Sequence, residues 1–297
     1  MRQRVASMTL TWPIVLAVLC GAVLHAGWNA LVKSSGDKEL DTALVHFLGA
    51  LVALPPLLVV GAPPTAAWPF IGASLVVHIA YYVTLAGAYK HGDLGMTYPI
   101  MRGSAPLLVA LGSSLVLGES LSPLAWAGVV AVTLGVALVG LAHPGEALHH
   151  RRALSFALAN AVVIMTYTFI DGSGVRTAVR EGGLAMSYVL LLFVLDGAPY
   201  PALVVLKRDA AGRRAIVEYA RRRWPLAALG GAASIGSYAI ALWAMTRAPV
   251  AAVSALRETS VLFATLLGAW LLKERLGAQR LSGALVIVGG VIALRFG

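Results

Sequence analysis

The chain has 297 residues, 59% of them hydrophobic and 12% charged, with a mean hydropathy of +0.82 and a formal charge of +10. A soluble domain carries roughly 25% charged residues, so this composition excludes a water-soluble globule and points to a protein built into a bilayer. The single cysteine, Cys20, excludes an internal disulfide and a cysteine-based metal site, and no GxxxxGK[ST], HExxH or GxSxG stretch calls for a nucleotide, metal or other cofactor.

A spanning helix needs about 20 mostly apolar residues. Ten such stretches follow one another: 12–32, 41–60, 66–88, 94–117, 122–142, 153–172, 184–206, 224–246, 250–272 and 278–296. The first follows Arg2 and Arg4 and superficially looks like a signal peptide. It is too long for a signal core and lacks a clean cleavage site, so it reads as a spanning helix. It carries His25, Trp28 and Asn29. The second contains Pro55 and Pro56. The third presents His78, Tyr82 and Tyr89 on one helical face, with Tyr81 beside them. The fourth places Tyr98 one turn before Arg102. The fifth is rich in small residues, including Gly128 and Gly135.

A polar bridge, 143–152, leads to the sixth stretch, with Asn160, Tyr167 and Asp171. The seventh holds Asp196 ahead of Pro199 and Pro201, and two prolines remove two backbone donors and break the helix. That break beside an acid reads either as a gate or coupling-ion site, or as a kink whose carboxylate caps freed amides. A basic connector, 207–223, precedes the eighth stretch, which offers Ser234, Tyr238 and Trp243. The ninth holds Arg257 and Glu258 at mid-depth, and the tenth holds Gly283, Gly289 and Gly290.

Residues 94–140 and 249–295 are one segment written twice. At a shift of 155 residues Arg102 meets Arg257, Glu119 meets Glu274, Gly128 meets Gly283 and Gly135 meets Gly290. Each half, 1–142 and 153–297 around the 143–152 connector, therefore has five spans. Five is odd, so the second copy inserts upside down. The predicted fold is an all-α membrane protein of ten transmembrane helices in two inverted five-helix repeats. That geometry lets a path between the halves open to either side in turn.

The basic charge argues against nucleic acid because of where it lies. Lys207, Arg208, Arg213, Arg214, Arg221, Arg222 and Arg223 crowd one loop, and with the loops after spans 1, 3, 5 and 9 that side holds 15 lysines and arginines against 6 on the other. Cytoplasmic loops collect such residues, which places both termini outside, on the periplasmic side of a bacterial inner membrane.

Charges inside a span cost roughly 2.5–3.5 kcal/mol each on insertion scales and call for a partner or a wet cavity. For Arg102, Arg257 and Glu258 two readings stand open. One is a midplane site in which an arginine meets a substrate carboxylate and Glu258 meets an ammonium or a proton. The other is an ion pair locking spans 4 and 9. The aromatic residues Trp28, His78, Tyr82, Tyr98, Tyr238 and Trp243, with Asn29, read as cavity walls able to stack on and hydrogen-bond an organic substrate. Asp196 and Pro199 complete the candidate set as gate or coupling residues. His25, His78, Glu258 and Asp196 are the groups that could carry a coupled proton.

The Gly118–Glu119 and Lys273–Glu274 ends of spans 4 and 9, the early HAGWNALVK stretch (His25–Lys33) and the ten-span duplicated layout resemble the drug/metabolite transporter superfamily, EamA type. The resemblance covers nearly the whole chain. It implies a non-enzymatic exporter of small metabolites, nearest to the aromatic-amino-acid exporter branch, working in the bilayer as a monomer or homodimer. A multidrug or sugar-phosphate carrier shares the same fold. An intramembrane enzyme is the reading from another class, and its nearest acid and nucleophile candidates, Asp171, Ser173, His143, His149 and His150, fall in separate loops.

Overall fold

The computed structural model describes residues 9–33, 35–92, 94–140, 150–271 and 277–297. Arg2, Arg4, His143, His149, Lys273 and Glu274 lie outside these residues. Among the described residues the protein is all helical, with ten helices or helix pairs long and apolar enough to cross a membrane. In chain order these are α1 (Trp12–Lys33), α2 (Lys38–Val60), α3 (Trp68–His91), α4 (Leu94–Val116), α5 (Pro123–Gly140), α6 (Arg151–Arg180), α7 (Ala185–Asp196), α8 (Pro199–Leu206), α9 (Ala210–Met245), α10 (Val250–Arg257), α11 (Ser260–Leu271) and α12 (Ala278–Phe296).

Two spans are broken. The seventh splits into α7 and α8 at Asp196–Pro199, as its prolines demand. The ninth, read from sequence as one stretch, splits into α10 and α11 at Glu258–Thr259. By contrast α2 runs on through Pro55 and Pro56, and α4 through Pro99 and Pro106. The basic connector also differs from its reading as a loop. From Ala210 it is already helix, and α9 runs 36 residues. At 1.5 Å per residue that is about 54 Å, far beyond a hydrocarbon core of about 30 Å, so its basic start projects out of the bilayer. Similarly α6 extends to Arg180, which makes Arg176 a helical residue.

The halves interlock as an inverted repeat. α3 lies along α6 as α1 lies along α9, and α4 crosses α6 as α10 and α11 cross α1. α5 and α12, the equivalent last spans, form the tightest pair. Glycine makes this possible. A Cβ on Gly128 would stand 2.8 Å from the Gly290 carbonyl oxygen, and one on Gly283 would stand 2.9 Å from that of Gly135. In a membrane such small residues let backbones meet and dispersion forces act. These two helices are scaffold.

The packing of the two halves is also unequal. α2 packs closely on α9, where a Cβ on Gly231 would come within 2.7 Å of Gly49 Cα. The equivalent pair, α3 and α7, touches only slightly. An apolar cavity of about 140 Å³ lies there, lined by Trp68, Ile71, Gly72, Leu75, Leu191 and Leu195.

Candidate functional site

The polar centre forms where α4 meets the break between α10 and α11. α10 is apolar and buried from Val250 to Leu256, and it delivers Arg257 and Glu258 to the middle of the bundle. The chain there tightens into three-residue turns. The Glu258 amide donates to the Ala255 carbonyl at 3.1 Å, that of Thr259 to Leu256 at 3.1 Å, and that of Val261 to Glu258 at 3.0 Å. The Thr259 hydroxyl donates to the Leu256 carbonyl at 2.7 Å. Hydroxyl-to-backbone bonds of this kind compete with the regular ladder and favour its interruption. Discontinuous helices at the midplane are where transporters place substrate groups.

Arg102 of α4 approaches Glu258 across the repeat boundary, Nε to Oε2 at 2.9 Å. The two are 8% and 3% exposed. The contact is close enough for an ion pair but poorly angled for a hydrogen bond. Arg102 Nε and Nη2, Glu258 Oε2 and Ser260 Oγ are all buried without a hydrogen-bond partner among the described residues. Buried polar atoms are normally paired, so this centre holds unused capacity. Arg257 is half-buried. Its guanidinium carbon lies 5.1 Å from the centre of the Tyr238 ring, a cation–π contact, and among the described residues it forms no ion pair. Both arginines act electrostatically on His25 of α1. Tyr81, Tyr98 and Tyr167 lie within electrostatic reach of Arg102. The Tyr167 ring stacks on His78 at 4.9 Å.

Two other sets of charges tie the halves together toward the membrane faces. At one face, Arg176 Nη2 meets Glu119 Oε1 at 2.7 Å, and Arg176 also donates to the Met245 and Ala248 carbonyls at 2.7 and 3.2 Å. Both Glu119 oxygens accept from the Val250 amide, at 3.1 and 2.9 Å, at the first residue of α10. A carboxylate there meets both the free amide and the positive end of the helix dipole. At the other face, Arg223 of α9 meets Asp41 of α2 at 2.6 Å, and the Tyr219 hydroxyl donates to the same carboxylate at 2.7 Å. Arg208 reaches Glu39 at 3.1 Å and Asp37 at 3.5 Å. The Glu39 carboxylate holds the Arg208 guanidinium above its ordinary range.

The EamA-like transporter family model matches this chain twice, over residues 12–141 and 153–296. The chain belongs to the EamA-like transporter family. It is a multi-pass membrane transporter acting on small molecules in a lipid bilayer. No curated protein matches the sequence. One solved structure, described as "Crystal structure of protein", superposes with a TM-score of 0.74 at 19% identity, over 97% of this chain and 98% of that one. At that identity it speaks for the fold alone.

Within this EamA-like frame the residues singled out from sequence separate into groups. Arg102, Glu258, Arg257, Tyr98 and Tyr238 come together, with His78 one ring away across Tyr167. Trp28 and Asn29 brace His25, the indole donating to its Nδ1 at 3.3 Å and the amide to its carbonyl at 2.8 Å. Tyr82 belongs to another cluster. It donates to Asp196 at 3.2 Å and stacks on Tyr200 at 5.0 Å, with His46 alongside, just where Pro199 restarts the broken seventh span. Trp243 sits further along α9 under the Arg247 guanidinium, 4.5 Å from its ring centre.

A cavity of about 360 Å³ opens elsewhere, at the ends of α3 and α6, lined by His91, His150, Arg151, Arg152 and Ala153. The Arg102–Glu258 centre is the stronger candidate for a substrate site. It joins both halves and carries unpaired buried atoms, whereas the cavity lies at one face. Among the described residues no group of three His, Cys, Asp or Glu could hold a metal ion. The sequence reading gave no role to Arg176 or Tyr188. The Gly118–Glu119 motif points to the former's partner, while nothing in sequence signals that the Tyr188 hydroxyl donates to Asp171 Oδ1, at 2.9 Å.

Proposed function

We propose that the protein exports large neutral or aromatic amino acids, or closely similar metabolites, from the bacterial cytoplasm by alternating access between its two halves. The observation that carries this reading is the cross-repeat centre: a buried Arg102–Glu258 pair with unused bonding capacity, beside an arginine that forms no ion pair among the described residues. A zwitterion fits such a centre. Its carboxylate takes the Arg257 guanidinium, its ammonium competes for Glu258, and the Tyr98, Tyr167 and Tyr238 rings face its side chain. Charge-assisted contacts of this kind contribute about 1.5–3 kcal/mol each. A sugar-phosphate carrier would want more cations than two arginines.

Alternating access is supported by the asymmetry between the close α2–α9 pair and the open α3–α7 pair, since inverted halves can exchange those arrangements. The basic start of α9 supports a cytoplasmic position for that face and periplasmic termini. The test is uptake of a panel of labelled amino acids into proteoliposomes, with and without a pH gradient. Saturable uptake of phenylalanine, tryptophan or leucine is expected. Uptake of none, with transport of cationic dyes or sugar phosphates instead, overturns the substrate class.

A further inference from the structure

Asp171 is fully buried at mid-bundle and has no part in the substrate contacts above. It is held by neutral donors. The Tyr188 hydroxyl of α7 donates to Oδ1 at 2.9 Å, the Tyr238 hydroxyl of α9 donates to Oδ2, and the Ser74 hydroxyl of α3 lies close by. The charged and titratable groups around it come from every helix packed on α6. His78 of α3 acts on it directly. On α6 itself Tyr167 lies one turn away. Arg257 and Glu258 at the end of α10, and Arg102 of α4, act on Tyr167 rather than pairing with Asp171. No ion pair neutralises this carboxylate among the described residues.

A lone acid in a bilayer interior is costly when charged, and such acids mark ion or proton paths. The His78 ring is held by the same turn of α3 that carries Ser74: its Nδ1 donates to the Ser74 carbonyl at 2.8 Å, since a carbonyl can only accept. The link to the substrate centre is short. The Tyr238 hydroxyl holds Asp171, and the Tyr238 ring lies under Arg257.

We propose that Asp171, flanked by His78, is the proton-binding site of this transporter, and that Tyr238 couples its protonation to occupancy of the arginine centre. The coupling part rests on the substrate reading above. The proton-binding part does not. In the loading step an O–H bond forms between a carboxylate oxygen and a proton from the aqueous phase facing the site. That oxygen then becomes a donor, and the Tyr238 hydroxyl must turn or release it. In the unloading step the same bond breaks and the proton leaves to the opposite phase.

The substrate-free test is infrared difference spectroscopy of the reconstituted protein across a pH series. A protonated-carboxyl carbonyl stretch that titrates in wild type is expected to vanish in Asp171→Asn and to persist with a shifted midpoint in Tyr238→Phe. An unchanged band in Asp171→Asn overturns the site. The coupled test uses phenylalanine. One proton per substrate across a gradient of one pH unit supports about tenfold accumulation, because each 1.4 kcal/mol is a factor of ten. Asp171→Asn is expected to lose that accumulation while keeping phenylalanine counterflow, which also shows that it folds. Gradient-driven accumulation surviving in Asp171→Asn overturns the proposal. Absence of phenylalanine counterflow in wild type counts against the substrate reading only, and the infrared result then decides the site.

Discussion

Among the described residues two Arg–Glu pairs join the halves of this molecule, Arg102–Glu258 buried and Arg176–Glu119 half-buried, and they are built to opposite ends. Glu119 is saturated: both oxygens accept from the Val250 amide, and Arg176 bonds it while also clasping two carbonyls. Glu258 and Arg102 are equally close yet misaligned, with atoms left over. A saturated pair has nothing to offer a ligand and everything to lose on disruption. An undersaturated pair gives up less stability and keeps bonding capacity for a visitor. The comparison teaches that burial of charge alone does not mark a site, whereas unspent hydrogen-bonding capacity does.

The largest effect should come from Glu119→Ala. It removes the carboxylate partner of Arg176 and uncaps α10; a lost charged hydrogen bond costs about 1.5–3 kcal/mol and a lost helix cap about 1 kcal/mol. A fall in unfolding temperature in detergent is expected, and an unchanged value would dissolve the distinction between the pairs. Glu258→Gln should cost less stability, about 1–3 kcal/mol, because Arg102 is already poorly bonded. Its transport should nonetheless be lost, measured as counterflow in proteoliposomes. Arg257→Gln sharpens the contrast further. With a cation–π contact and no ion pair among the described residues, the change should move stability by about 0.5 kcal/mol or less. The smallest effect belongs to Arg208→Ala at the membrane face. Exposed pairs contribute about 0–1 kcal/mol, and this one should fade with added salt while transport stays normal.

Much of this was legible in sequence. The ten spans, the repeat and the alignment of Arg102 with Arg257 follow from hydropathy and self-similarity, which are local or linear properties. The break of the ninth span was not. Arg257, Glu258, Thr259 and Ser260 interrupt a run that is otherwise largely apolar, and the tight turns depend on how hydroxyls bond the backbone once the helix is buried. The equivalent Gly103, Ser104 and Ala105 stay helical in α4, so residue type alone does not decide it. The helical start of α9 escaped for a different reason. Its arginines fit a solvated helix as well as a loop, and charge alone does not separate the two. Tyr82 and Tyr98 look alike in sequence as cavity walls, yet one belongs with Asp196 and the other with Arg102. That assignment is made only by the packing of α7 and α8 against α3, and of α4 against α6.

The most direct test is phenylalanine counterflow by Arg257→Gln in proteoliposomes, read beside its unfolding temperature. The free-cation account predicts wild-type unfolding with affinity reduced about 10- to 100-fold, the loss of one charge-assisted contact. Wild-type counterflow in a wild-type-stable variant would contradict it and leave the arginine centre a purely structural junction.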